Sequence, residues 1–185
     1  MNYFPVVQSQ LTNDERLLWS GQPRKGLTLR KADLAMIPFS LMWGGFAMFW
    51  EYSVVTTNAP LIMKIWGIPF VAVGLYLIVG RFFFDALART KTYYAVTDVR
   101  VLIVSGVFWQ QITSLNLATL AQISLTESTG GEGTITFGNN MGYGGPFGRV
   151  GGWPGSQRYA PPSFDLIPNA KSVYGIVREA QQEKK

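Results

Sequence analysis

The chain contains no Cys and no His. Thiol nucleophiles, disulfides, lipidation at cysteine, Cys/His zinc sites and histidine general bases are therefore excluded from its chemistry. Acid–base or metal work would fall to 11 Asp and Glu residues, which are scattered along the sequence. Only a fold that gathered Asp85, Asp98, Glu127 and Asp165 would make a carboxylate site from them. No Gly-Lys-Ser/Thr phosphate loop occurs. The Gly142, Gly144, Gly148 series departs from the dinucleotide fingerprint and has no helical pattern after it. The expectation is a chain without catalytic residues, cofactor or metal, one that works by binding.

The elements that must position such a binding surface begin with two uncharged stretches, Leu34 to Trp50 and Ile65 to Gly80. The first runs to about 17 residues, the short end of what a helix needs to cross a hydrocarbon core of about 30 Å. The second becomes a comfortable span if its helix begins near Leu61 and Lys64 snorkels outward. A buried helical hairpin of a soluble protein is the competing reading. A domain of this size has one modest core, and two helices apolar on every side would need a second to surround them.

The flanking charges set an orientation. Arg24, Lys25, Arg30 and Lys31 precede the first span; Arg81, Arg89, Lys91 and Arg100 follow the second. The link, roughly Glu51 to Lys64, has bounding charges that cancel. Lys and Arg beside membrane helices are retained on the cytoplasmic side, so both ends of a two-helix hairpin over 33–84 are expected inside. The eight cations are candidate contacts with the lipid surface. Their placement accounts for the net charge of +5 without a nucleic-acid partner. Trp50, Tyr52 and Trp66 fall near the distal interface, where amphipathic rings gather. Ser40 with Gly44, and Gly67 with Gly74, offer small faces for helix packing, and Pro38 and Pro69 are expected to kink the spans. No early apolar run with a cleavage site is present, so no signal peptide is expected.

After the spans the period becomes strand-like. Thr92 to Thr97 and Val101 to Ser105 read as a hairpin around Asp98 to Arg100, followed by strands over Trp109 to Leu115, Gln122 to Glu127 and Thr134 to Phe137. Consecutive short strands of this kind predict an antiparallel sheet bent into a barrel or sandwich. The segment 138–162, with eight glycines and four prolines, interrupts the pattern. Its Tyr143, Phe147, Arg149, Trp153, Arg158 and Tyr159 make either a partner-binding or headgroup-binding loop or a tolerated insertion. A last edge strand is expected over Ser163 to Ile167, then a helix N-capped by Asn169. Ala170, Val173, Tyr174, Val177 and Ala180 give that helix one apolar stripe.

The run Tyr93-Tyr94-Ala95-Val96-Thr97-Asp98-Val99-Arg100-Val101-Leu102-Ile103 before Gly106 resembles the bacterial pleckstrin-homology-like domains, of the type also known as DUF304. So do Gly133-Thr134-Ile135-Thr136-Phe137 and Ile167-Pro168-Asn169-Ala170 with Val173-Tyr174. Leu11 to Pro23, with Glu15, Leu17, Leu18, Trp19, Ser20, Gly21 and Pro23, looks like the lead-in of membrane-tethered members. The resemblance implies a mainly-β, seven-stranded barrel closed by a C-terminal capping helix and carried on a membrane α-helical hairpin. In eukaryotic relatives of the fold, cations around the first strand pair grip phosphoinositides; here the turn at Asp98 to Arg100 is tight and contains an acid.

The organisation expected is a cytoplasmic lead-in (1–32), the hairpin (33–84) and a pleckstrin-homology-like domain (88–181) interrupted by 138–162. Glu15 is expected to cap a turn begun at Thr12 or Asn13, with Leu11, Leu17, Leu18 and Trp19 packing under the barrel or lying in the inner interface. The function expected is a non-catalytic scaffold of the bacterial inner membrane. Its barrel and termini would be cytoplasmic and its surface offered to a protein partner, a second copy or anionic lipid. The alternative is an accessory subunit of a transport or channel assembly.

Overall fold

The computed structural model describes residues 5–29, 31–127, 130–138 and 161–183, which divide into two compact units. One unit is mainly β. Its strands β1 (Leu17–Gly21), β2 (Tyr93–Thr97), β3 (Arg100–Ser105) and β4 (Gln111–Asn116) form one antiparallel sheet in the order β1-β2-β3-β4. Strands β5 (Ile123–Glu127), β6 (Glu132–Phe137) and β7 (Ser163–Pro168) form a second, in the order β5-β6-β7.

Strand β1 lies outside the elements expected from the sequence: the lead-in joins the sheet rather than standing before it. Leu17 pairs with Thr97, and after a register shift Trp19, Ser20 and Gly21 pair with Val96, Ala95 and Tyr94. In a regular strand residues two apart share a face. The irregularity breaks that rule, so Leu17 packs with Ala95 and Leu102 on one side while Leu18 and Trp19 both join the main core on the other. Gly21 follows because a Cβ there would collide with the Trp19 ring.

Both faces of β2 and β3 are covered, which explains their nearly unbroken apolar sequence. Tyr94, Val96, Val101 and Ile103 face the main core; Ala95 and Leu102 face Val7 from the short helix α1 (Pro5–Gln8). Phe164 of β7 centres the core, with ring centroids 4.6 Å from Tyr94, 4.9 Å from Phe137 and 5.6 Å from Trp19. Helix α5 (Ala170–Gln182) buries Ala170, Val173, Val177 and Ala180 against it. Asn169 precedes α5 as expected but does not cap it with its side chain. It adopts a left-handed conformation (φ 51°, ψ 42°), which Asn tolerates better than most residues.

The other unit holds the helical hairpin within Leu27–Asp85. Helix α2 (Lys31–Thr56) has 26 residues, about 39 Å at 1.5 Å per residue. Helix α3 (Leu61–Leu75) runs through a π-helical turn (Tyr76–Gly80) into α4 (Arg81–Thr90) as one continuous helix of 30 residues, which contains an 18-residue window of mean hydropathy 2.0. That helix is long and apolar enough to cross a membrane by length and composition. The connection is shorter than expected, since α2 continues through Glu51 to Thr56 and α3 begins at Leu61. Both helices continue through their prolines, Pro38 and Pro69.

Small residues set the closeness of α2 and α3. A Cβ built on Gly74 would stand 2.8 Å from the Cα of Gly44, and Gly67 faces Trp50 and Glu51. Gly45, one residue on, meets open space. Gly74→Val should therefore force the helices apart and cost about 1–3 kcal/mol. Thermal unfolding of the detergent-solubilised chain should register a clear drop for Gly74→Val relative to Gly45→Val; equal effects at the two positions would contradict the packing described.

Candidate functional site

Three groups of residues carry chemistry. The first is a polar clamp at the β2–β3 turn. Arg100 donates from Nε and Nη2 to the Glu15 carboxylate at 2.6 and 2.8 Å, and from Nη2 to the Gln10 carbonyl at 3.0 Å. The Thr97 hydroxyl accepts from the Arg100 N–H at 2.9 Å and lies 3.0 Å from Glu15 Oε1. Thr12 N–H donates to Glu15 Oε2 at 3.1 Å, the turn cap expected of Glu15. Asp98 adds a backbone clasp: its carboxylate accepts from the Arg16 N–H at 3.0 Å and its own N–H donates to the Arg16 carbonyl at 3.1 Å. The acid in the tight turn thus holds the chain entering β1.

The second group is a charged stripe along α4. Arg81, Asp85 and Arg89 recur every four residues and are buried. Arg81 lies 3.2 Å from Asp33 of α2, an ion-pair distance without hydrogen-bond alignment, and 4.5 Å from the Phe82 ring centroid. Arg89 donates to the carbonyls of Gly26 at 2.8 Å and Arg24 at 3.3 Å. The third group is exposed: Lys25 and Lys91, together with Arg24, whose Nη1 donates to both Glu132 carboxylate oxygens at 2.9 Å.

The expected lipid-contact cations are therefore not alike. Arg81, Arg89 and Arg100 spend their charge on internal partners. Lys25 and Lys91 are open to solvent, and Arg24 is exposed although paired. Arg30, the side chain of Lys31, and the loop residues Tyr143, Phe147, Arg149, Trp153, Arg158 and Tyr159 lie outside the described residues. What sequence reading missed is Asp33, the acid near the start of the first apolar helix, which meets Arg81 of the second. A charged residue of opposite sign at each end of an apolar pair is the signal that could have found it.

Elsewhere, an apolar cleft of about 230 Å³ opens between α2 and α3, lined by Trp43, Phe46, Ala47, Trp50, Trp66 and Phe70. Among the described residues no group of three acids could hold a metal ion. Comparison with family models, curated proteins and solved structures returns no match.

The clamp has a pH signature. The Glu15 side chain is 4% exposed and its pKa is held at about 2, against 4.5 ordinarily. Hydrogen bonding by the Arg100 guanidinium is the main cause; the bonds from Thr12 and Thr97 add to it, and burial opposes it. The same pair pushes the Arg100 pKa upward. A depressed carboxylate pKa contributes stability above its unfolded value and loses it as pH falls through the folded one. Here that contribution is on the order of 3 kcal/mol, present above about pH 4.5 and lost toward pH 2. Unfolding midpoints of wild type and Glu15→Gln should differ at pH 7 and converge between pH 4.5 and 2; a gap that stays constant over that window would contradict the assignment.

Proposed function

We propose that this chain is a two-span protein of the bacterial inner membrane whose pleckstrin-homology-like domain works by binding, without catalysis. The observation that carries the reading is the place where the apolar helices enter the β unit. They are inserted between β1 and β2, which are adjacent antiparallel strands with Gly21 opposite Tyr94. A segment that leaves and returns at neighbouring positions has both ends on one side of any membrane it crosses. This agrees with the distribution of Lys and Arg.

The side chains of the helices support lipid as their surroundings. Leu34, Phe46, Phe49, Ile62, Trp66 and Ile68 are all exposed on the hairpin, an arrangement water would penalise over so large an area. The strand count also supports the family resemblance, which implies seven antiparallel strands and a C-terminal helix. In that frame β1 and β2 are joined by the membrane hairpin itself, while the turn at Asp98 to Arg100, where related domains hold phosphoinositides, is closed by Glu15. Lys25 and Lys91 then stand beside the bilayer, each worth about 1 kcal/mol near an anionic surface.

Binding of a protein partner or a second copy falls to the domain's free surface. Strand β4 is a sheet edge with Gln111, Ile112 and Ser114 exposed, a template for another strand. The accessory-subunit reading has less support, because Asp33, Glu51, Lys64 and Arg81 flank the uncharged stretches Leu34 to Trp50 and Ile65 to Gly80 rather than falling within them. Alkaline carbonate washing should leave the full chain in the membrane pellet, and photo-cross-linking from Ser114 in native membranes should trap a discrete adduct. A chain released by the wash, or one that runs only as an uncross-linked monomer with no preference for anionic lipid, would overturn the proposal.

A further inference from the structure

The turn joining β3 to β4 displays an adjacent aromatic pair. Phe108 is 76% exposed and Trp109 85%, more than the aromatic side chains of the apolar helices. Single exposed hydrophobic residues are ordinary on a protein surface, but two neighbouring rings at the tip of a hairpin are not. The rings meet edge to face with centroids 6.2 Å apart. The turn that holds them is fixed by Gly106, whose φ of 136° suits glycine and whose Cβ would collide with the Trp109 carbonyl.

Register shows which end of the sheet the turn occupies. Tyr93 pairs with Val104, and Ser105 pairs with Gln111, so the turn lies at the end where β2 begins. Gly21 pairs with Tyr94, which puts the exit of β1 at that end as well. Only Lys91 and Thr92 separate the last residue of α4 from β2, a reach of at most about 11 Å from Thr90 to Tyr93. The aromatic tip, the chain's departure to α2 and its return from α4 thus share one end of one sheet. Two exposed lysines, Lys25 and Lys91, belong to the connections at that end. The Glu15–Arg100 clamp lies at the other end, where Arg100 pairs with Asn116.

We propose that the β3–β4 turn is a further membrane contact: Phe108 and Trp109 enter the boundary between headgroups and acyl chains of the leaflet from which the helices emerge. This inference rests on the membrane-spanning reading above. An indole keeps its N–H at the wet edge of that layer while its ring is buried, and the lysines beside it favour anionic headgroups.

The absence of native cysteine makes the test direct. Single variants Gln110→Cys at the tip, Ala118→Cys at the opposite end of the sheet and Phe46→Cys on α2 each carry an environment-sensitive fluorophore. The full-length chain is reconstituted in phosphatidylethanolamine/phosphatidylglycerol vesicles with nitroxide quenchers either near the headgroups or deep in the acyl chains. Shallow quenchers should lower emission at Gln110→Cys at least about twofold while leaving Ala118→Cys unchanged. Adding Phe108→Ser and Trp109→Ser should return the tip probe to the Ala118→Cys level. Deep quenchers should act on Phe46→Cys. Quenching at Phe46→Cys but not at Gln110→Cys would overturn the tip contact and leave the spans standing. No quenching at Phe46→Cys would remove the membrane reading and the tip contact together. A tip probe that shifts to the blue without being quenched would mean that protein covers the turn, which also overturns the inference.

Discussion

The pairing of β1 with β2 is the constraint on which the rest depends. It joins residues on either side of the two apolar helices, and in doing so closes a loop from Gly21 to Tyr94. Closing so long a loop has an entropic cost that grows only slowly with its length. Several gains offset it here: the strand hydrogen bonds, the burial of Leu18 and Trp19 in the main core, and the ion pair of Arg100 with Glu15 just ahead of β1. The inserted helices contribute as well, because they pack closely at Gly44 and Gly74 and Arg81 meets Asp33 near the start of α2. A helical hairpin inserted in this way has two covalent connections to the β unit.

The elements most legible in the sequence are those whose pattern is local. β2 and β3 announce themselves through β-branched and aromatic residues, and α5 through a stripe of Ala and Val at helical spacing. The beginning of the second apolar helix at Leu61 was equally readable. β1 was not. Its irregular register destroys the alternation that marks a strand, and its partner lies far along the chain on the other side of two helices. Asn169 illustrates a different difficulty: the residue type favours both N-caps and left-handed conformations, and the β7–α5 junction uses the second property.

Charges were legible as clusters but not as faces. Lys and Arg flanking an apolar stretch look alike in sequence, whereas the fold divides them by the direction each points. On α4, burial every fourth residue turns Arg81 and Arg89 inward, with Asp85 between them. A buried guanidinium is tolerated only beside groups that compensate it, and Asp33 and the carbonyls of Arg24 and Gly26 are those groups. Arg100 is likewise taken up by Glu15, at the sheet end remote from the helices. The lysines that remain exposed, Lys25 and Lys91, are those on the connections themselves.

The central claim, that the β unit grips both ends of a membrane hairpin from one side, is tested most directly by the sidedness of three single-cysteine variants in spheroplasts: Lys25→Cys and Lys91→Cys on the two connections, and Thr57→Cys in the link. A membrane-impermeant maleimide added outside should label Thr57→Cys in intact spheroplasts and reach Lys25→Cys and Lys91→Cys only after permeabilisation. Labelling of Lys25→Cys and Lys91→Cys from opposite sides of the membrane would contradict the account.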